Sequence, residues 1–248
     1  VSGHSKWSTI KHKKAAADAA RGKVFTKIIK ELTVAARLGG SDIDSNPRLR
    51  DAMQRAKGAN MPKDNIEKAI KKGTGELPGV VYEEITYEGY GPAGTALYIE
   101  VTTDNKNRTV AEIRHLLSKH GGNLGENGSV AWMFSRKGLI FVNKDQYDED
   151  ELTLVAIEAG VEDVESGDEY FELSCDPADF EEVKRQLAEN NITIASSEIA
   201  MVPQNTVDVT GGDAEKVLKL MNSLDDHDDV QNVWSNFDVD EEFLEAMS

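Results

Sequence analysis

The order of strand and helix signals between Leu139 and Val202 constrains the fold more than any other feature of this 248-residue chain. It reads strand "LIFVN", helix "DEDELTLVAIEAG", strand "VEDVES", strand "EYFELSCD", helix "PADFEEVKRQLAENN" and strand "ITIASSEIAMV". Strands are told from helices by the period of their apolar residues, two against about 3.6. A βαββαβ succession is the ferredoxin-like order. The segment after it, "NTVDV", helix "DAEKVLKLMNSLDD" and strand "VQNVWSNF", holds only half of such a unit. The segment before it supplies the rest: strands "EITYEGYG" and "TALYIEVTTD", then a helix with Val110, Ile113, Leu116 and Leu117 facing in. An extra strand, "SVAWMFSRKG", follows an Asn-Gly turn at 127–128. The middle unit is therefore expected to be inserted into a discontinuous second one. Three domains in series would leave the last βαβ unpaired.

N-terminal to the linker "TGELPG" at 74–79, the pattern is helical throughout. "AAADAARG" reads as a helix ending at Gly22. In "KVFTKIIKELTVAARLGG", Phe25, Ile28, Ile29, Leu32 and Ala36 share one face, and Lys23, Lys27, Lys30 and Arg37 share the opposite one within roughly 80° of arc. A third helix starts with Asn46 as cap and Pro47 at its first position. A fourth begins at Pro62 and is expected to stop at Gly73. The expected fold class is α+β: an N-terminal all-helical domain plus two ferredoxin-like α/β domains, one inserted into the other. The expected limits are 1–76 for the helical domain, 83–137 plus 204–248 for the discontinuous domain, and 138–203 for the insert.

Charge is divided along the same lines. Residues 1–75 hold 17 Lys and Arg against 7 Asp and Glu, a net +10, in a chain whose total is −17; the remainder is therefore −27. Such asymmetry points to a basic module that meets an anionic partner, carried by an acidic body that repels one. The opening stretch "GHSKWSTIKHKKAAADAARGK" is a basic arm tipped by an aromatic ring. Lysines and arginines on helix faces neutralise phosphates and release counterions without sequence choice. The residues expected to meet nucleic acid are Lys6, Trp7, Lys11, His12, Lys13, Lys14 and Arg21 in the arm, Lys23, Lys27, Lys30 and Arg37 on the lysine stripe, and Arg48, Arg55, Lys57, Lys71 and Lys72 on the two following helices. For Trp7 two readings stand level: stacking on an exposed base, or pinning the arm onto the helical domain. A smaller basic group, Lys106, Arg108, Arg114 and Lys119, either extends this surface or pairs with acids of its own domain.

No catalytic constellation assembles. "GYGPAG" at 89–94 matches a dinucleotide-loop pattern, but it lies between two strands and contains Pro92, which makes it a hairpin turn. His227 within "DDHDD" reads as a solvated acidic turn rather than a metal site. No cofactor and no metal are expected. The single cysteine, Cys175, forms no internal disulfide and no zinc spacing, which suits a reducing, cytoplasmic compartment. No apolar run approaches the ~20 residues that span a bilayer, and no secretory signal is read at the N-terminus.

Four stretches, "GHSKWSTIKHKKAAADAARGKVFTKIIKELTVAARLGG", "NPRLRDAMQRAKGANMPKDNIEKAIKKG", "YEGYGPAGTALYIEVTTDNKNRTVAEIRH" and "GGNLGENGSVAWMF", closely resemble the YebC/PmpR family. The N-terminal signature falls on Gly3, His4, Ser5, Lys6, Trp7, Lys11, His12 and Lys14, and the resemblance runs from Gly3 to beyond residue 200. It implies three domains, one helical and two α/β, with the third inserted in the second. It also implies a cytoplasmic, non-enzymatic regulator: many bacterial members are DNA-binding transcriptional regulators, others act in translation at the ribosome, and mitochondrial relatives activate translation of cytochrome oxidase. The residues themselves leave DNA and RNA open. No recognition helix aimed at base edges is evident, and a basic arm with a basic helix face suits folded RNA at least as well as duplex DNA.

Overall fold

The computed structural model describes Trp7, residues 18–240 and residues 243–244. Helix α1 (Asp18–Gly39) is continuous through Gly22, so the expected break there is absent. One glycine inside a helix costs only about 1 kcal/mol, and the apolar face beyond it outweighs that. Ile28, Leu32, Ala35 and Ala36 of this helix meet Leu49, Ala52 and Ala56 of α2 (Pro47–Gly58) and Ile66 and Ala69 of α3 (Lys63–Thr74) in one core. Asn46 caps α2 as expected, its side-chain oxygen accepting from the Leu49 N–H at 3.1 Å. Its amide also donates to the Ala35 and Gly40 carbonyls, which ties α2 to the end of α1. Gly73 does not stop α3, which closes at Gly75 with φ of 82°. Gly73 is instead a contact point: a Cβ there would lie 2.4 Å from the Thr33 carbonyl oxygen of α1.

The fold is α+β, with one α/β unit set within another. The first sheet is built from β1 (Glu83–Tyr90), β2 (Ala96–Thr103), β3 (Asn123–Leu124) and, from far along the chain, β9 (Val230–Ser235), in the order β3-β1-β2-β9. Strands β1 and β2 form a hairpin running from Glu83↔Thr103 to Tyr90↔Ala96, and "GYGPAG" is its turn, as read. Helices α4 (Lys106–Lys119) and α7 (Gly211–Asp225) cover one face. The second sheet is wholly intervening: β4 (Phe134–Asn143), α5 (Glu149–Glu158), β5 (Asp163–Ser166), β6 (Tyr170–Cys175), α6 (Phe180–Glu189) and β7 (Ile194–Pro203). Its order β5-β6-β4-β7, all antiparallel, is that of a ferredoxin-like sheet. The first sheet keeps the same layers with a different connection, its hairpin lying at the centre. Two-residue strands β8 (Val207–Asp208) and β10 (Phe237–Asp238) pair in parallel beside it.

One expected boundary moves. "SVAWMFSRKG" and "LIFVN" are not two strands in two sheets. Residues 131–133 form a helical turn and β4 is one ten-residue strand of the second sheet, so a limit at 137/138 would cut it. Gly138 looks like a break but is a packing site, where a Cβ would lie 2.4 Å from the Phe180 ring. Alternation along β4 shows how the two sheets stack. Ile140 and Val142 enter the core under α5 and α6. Leu139 and Phe141 point the other way and pack with Ala96, Val130, Phe134, Ala200 and Trp234 between the two sheets.

Candidate nucleic-acid interface

The lysine stripe of α1 faces away from the helical core, as its period requires, but only its ends, Lys23 and Arg37, are exposed, while Lys27 and Lys30 are turned in. The stripe lies against the acidic segment that ends α7 and leads into β9. Lys23 meets Asp226 at 3.1 Å and Lys27 meets Asp225 at 3.1 Å. Lys30 is only 6% exposed and meets Asp229 at 2.5 Å. The Lys30 ammonium also donates to the carbonyl oxygens of Asp228 at 2.8 Å and Thr102 at 3.3 Å, so its three protons have three acceptors. Arg48 is likewise engaged, with Glu31 at 2.7 Å and Glu84 at 2.5 Å, and these hydrogen bonds raise its pKa against the opposing effect of burial. The expectation that Lys23, Lys27, Lys30 and Arg48 present free charge to a phosphate backbone is therefore corrected. They join the helical domain to the first α/β domain. No local pattern in the sequence could show this, because the covering acids lie 198 or 199 residues away from Lys27 and Lys30.

Asp229 is the centre of this junction. One carboxylate oxygen takes Lys30; the other takes the Thr109 hydroxyl at 2.6 Å and Arg108 at 2.8 Å. Burial pushes its pKa up, but the hydrogen bonds from Lys30, Thr109 and Arg108 prevail and hold it well below the usual carboxylate range. Arg108, from the smaller basic group, thus pairs with acids of its own domain, Asp104 included. His227 is not solvated as expected. Its Nδ1 accepts from the Asp229 N–H at 3.1 Å, so its Nε2 carries the proton toward Glu112 at 2.9 Å. Glu112, His227 and Asp229 bring three ligand atoms within 4.8 Å of one another. Both imidazole nitrogens are already committed, however, and Asp229 is saturated by cations, so the trio does not suit a metal ion. An open cleft of about 880 Å³ beside it is bordered by Lys23, Tyr82, Asp104, His115 and Asp228, charges of both signs.

Trp7 is 6% exposed and packs into the core of the first α/β domain, its Nε1 donating to Asn222 of α7 at 3.1 Å. Of its two readings the pin prevails over base stacking, though the ring is pinned on α7 rather than on the helical domain. Lys6, Lys11, His12, Lys13 and Lys14 lie outside the described residues, as does the side chain of Arg21. Five of the expected cations remain exposed and, among the described residues, take part in no ion pair: Arg37 near the end of α1, Arg55 and Lys57 in the last turn of α2, and Lys71 and Lys72 in the last turn of α3. Lys68, one turn before Lys71 and missed in the sequence, is exposed as well and makes no ion pair among the described residues. The tight approach of Gly73 to Thr33 and Ala36, with Arg37 N 3.2 Å from the same built Cβ, sets the α3 cations beside the end of α1.

Among nucleophiles, Cys175 is buried, and burial pushes its thiol up to about 11. It behaves as a small apolar core residue. None of the described helices is long and apolar enough to cross a membrane.

Two family models match the chain. Residues 5–76 match the TACO1/YebC protein N-terminal domain, and residues 82–237 match the TACO1/YebC second and third domain. A probable transcriptional regulatory protein from Desulforapulum autotrophicum is 58% identical over 247 residues, covering 100% of both chains. Another from Halothermothrix orenii is 59% identical over 251 residues, covering 100% of this chain and 99% of the relative. The crystal structure of a conserved hypothetical protein from Aquifex aeolicus superposes with a TM-score of 0.83 at 50% identity, covering 93% of this chain and 96% of that one. The chain belongs to the TACO1/YebC family.

Proposed function

We propose that this member of the TACO1/YebC family is a non-enzymatic, nucleic-acid-binding regulator of gene expression, and that the exposed ends of its helical domain hold the phosphates. The observation that carries this is the residue of positive charge left once the ion pairs are assigned. Arg37, Arg55, Lys57, Lys68, Lys71 and Lys72 are exposed, make no ion pair among the described residues and lie in a segment of net +10. The arm's Lys6, Lys11, Lys13 and Lys14 belong to the same segment. Cations placed in the last turns of α2 and α3 do double duty, since positive charge there also offsets the helix dipole.

The regulator role is supported by the names of the relatives. In this reading the protein acts in the cytoplasm on DNA, with the helical domain spanning about 1–76 and the insert about 134–203. The second reading is an RNA-binding translation factor using the same cations. It is favoured by the distribution of those cations over helix ends rather than along one groove-reading helix. Ultraviolet crosslinking in cells, followed by sequencing of the attached nucleic acid, separates the two. Enrichment of promoter DNA supports the first, ribosomal RNA supports the second, and recovery of neither with full-length protein refutes both.

A further inference from the structure

The chain has three tryptophans, and two of them are core: Trp7 and Trp234 are 6% and 5% exposed, whereas Trp132 is 65% exposed. Trp132 was expected inside a strand. It stands instead at the end of a loop, residues 125–133, that one carboxylate holds from beneath. Glu88 of β1, itself buried, accepts from the backbone N–H groups of Gly128 at 2.6 Å, Val130 at 2.8 Å and Ala131 at 2.7 Å. The Glu88 carbonyl takes the Gly125 N–H at 2.8 Å, and the Tyr90 hydroxyl donates to the Ser129 carbonyl at 3.3 Å. A buried carboxylate is costly unless its lone pairs are filled. Here the loop backbone fills them, so that loop and carboxylate require one another and the loop keeps one shape.

The indole has its own anchor, because Nε1 donates to the Ser129 carbonyl at 3.1 Å. With its only polar group satisfied inside the protein, Trp132 offers a partner nothing but its ring faces. The preceding residues, Glu126, Asn127, Gly128 and Ser129, are polar or small. Other large exposed apolar side chains, such as Val81 and Leu154, lie in other segments. A protein hot spot normally sits in a water-excluding ring of further contacts. A nucleobase needs only an aromatic face, whatever its identity.

We propose that Trp132 is a stacking platform for an unpaired nucleobase, which makes single-stranded or looped nucleic acid the ligand of this end of the protein. Bases within a duplex have both faces occupied, so duplex DNA would leave the platform empty. The inference rests on the nucleic-acid reading above, and the experiment keeps the two apart. Full-length protein is titrated with a single-stranded oligonucleotide, with its duplex, and with an abasic strand of equal length, reading tryptophan emission and its quenching by acrylamide. The single strand is expected to shield the exposed tryptophan, and the other two are not. Trp132→Ala should weaken single-strand binding by roughly 5- to 150-fold while leaving its salt dependence unchanged, since a stacked ring releases no counterions. Trp132→Phe should recover most of the loss. Equal single-strand affinity of wild type and Trp132→Ala overturns the platform and leaves the phosphate-binding reading standing, provided Lys71→Glu with Lys72→Glu still weakens binding. Absence of any salt-sensitive binding overturns both. Shielding of Trp132 by a nuclease-resistant protein partner, with no shielding by the single strand, also overturns the platform.

Discussion

Replacing Lys30 tests whether the lysine stripe is a junction or a ligand surface. Lys30 and Asp229 are both more than nine-tenths buried and meet at 2.5 Å. Breaking a buried pair by removing one partner costs about 3–5 kcal/mol, mainly because the other charge is stranded. In Lys30→Met the stranded charge is Asp229, which keeps Arg108 and the Thr109 hydroxyl. The loss should therefore fall near the low end, about 3 kcal/mol. Asp229→Asn strands an ammonium that retains only two carbonyl acceptors and should cost at least as much. The double variant should lose less than the sum of the singles, by ~1 kcal/mol or more, because the two groups share one interaction. Urea denaturation followed by fluorescence measures the stability change, and limited proteolysis across residues 74–82 reports release of the helical domain. A Lys30→Met protein within about 0.5 kcal/mol of wild type but markedly weaker in nucleic-acid binding would refute the reasoning. Acid gives an independent check. The folded pKa of Asp229 is depressed, so its contribution is complete above the unfolded value of about 3.9 and is lost as pH falls through the folded one. Wild type should weaken relative to Asp229→Asn below about pH 4.

Three further outcomes follow from other contacts. Gly73→Ala drives a Cβ to 2.4 Å from the Thr33 carbonyl oxygen and should destabilise by about 1–3 kcal/mol, whereas Gly22→Ala meets nothing within 4 Å and should stabilise by about 0.5–1 kcal/mol; thermal melts compare them directly. Glu88→Gln turns an amide N–H toward backbone donors and should cost about 1–3 kcal/mol, with faster amide exchange at Gly128, Val130 and Ala131. Cys175, its thiol pushed up to about 11 by burial, should not react with a thiol reagent at pH 8 in the folded protein and should react on unfolding.

What was legible in the sequence was local and periodic. The apolar face of α1, the Asn46–Pro47 start of α2 and the βαββαβ order of the insert each rest on neighbours within one or two turns, where spacing alone decides which residues share a face. The interruption of the first sheet was legible as well, because a half unit with no partner needs its complement elsewhere. What escaped depends on which surface meets which. Gly73 and Gly138 resemble stops in one dimension, and only the approach of α1 and Phe180 reveals them as contacts. The α1 stripe resembles a ligand surface until Asp225, Asp226 and Asp229 are seen against it. The choice between the two readings of Trp7, and the departure of Trp132 from its expected strand, are decided in the same way. The polar arm carries the buried ring, and the apolar-looking "SVAWMF" carries the exposed one.

The most direct test is the salt dependence of nucleic-acid affinity in two variants of the full chain. Arg55→Glu with Lys71→Glu and Lys72→Glu is expected to weaken binding and to flatten the slope of log K against log salt by roughly 2–3, close to 0.7–0.9 for each phosphate contact removed. Lys27→Gln is expected to leave that slope unchanged, since Lys27 is held by the carboxylate and carbonyl of Asp225. A slope that falls in the second variant and holds in the first would contradict the assignment of phosphate binding to the free ends of the helical domain.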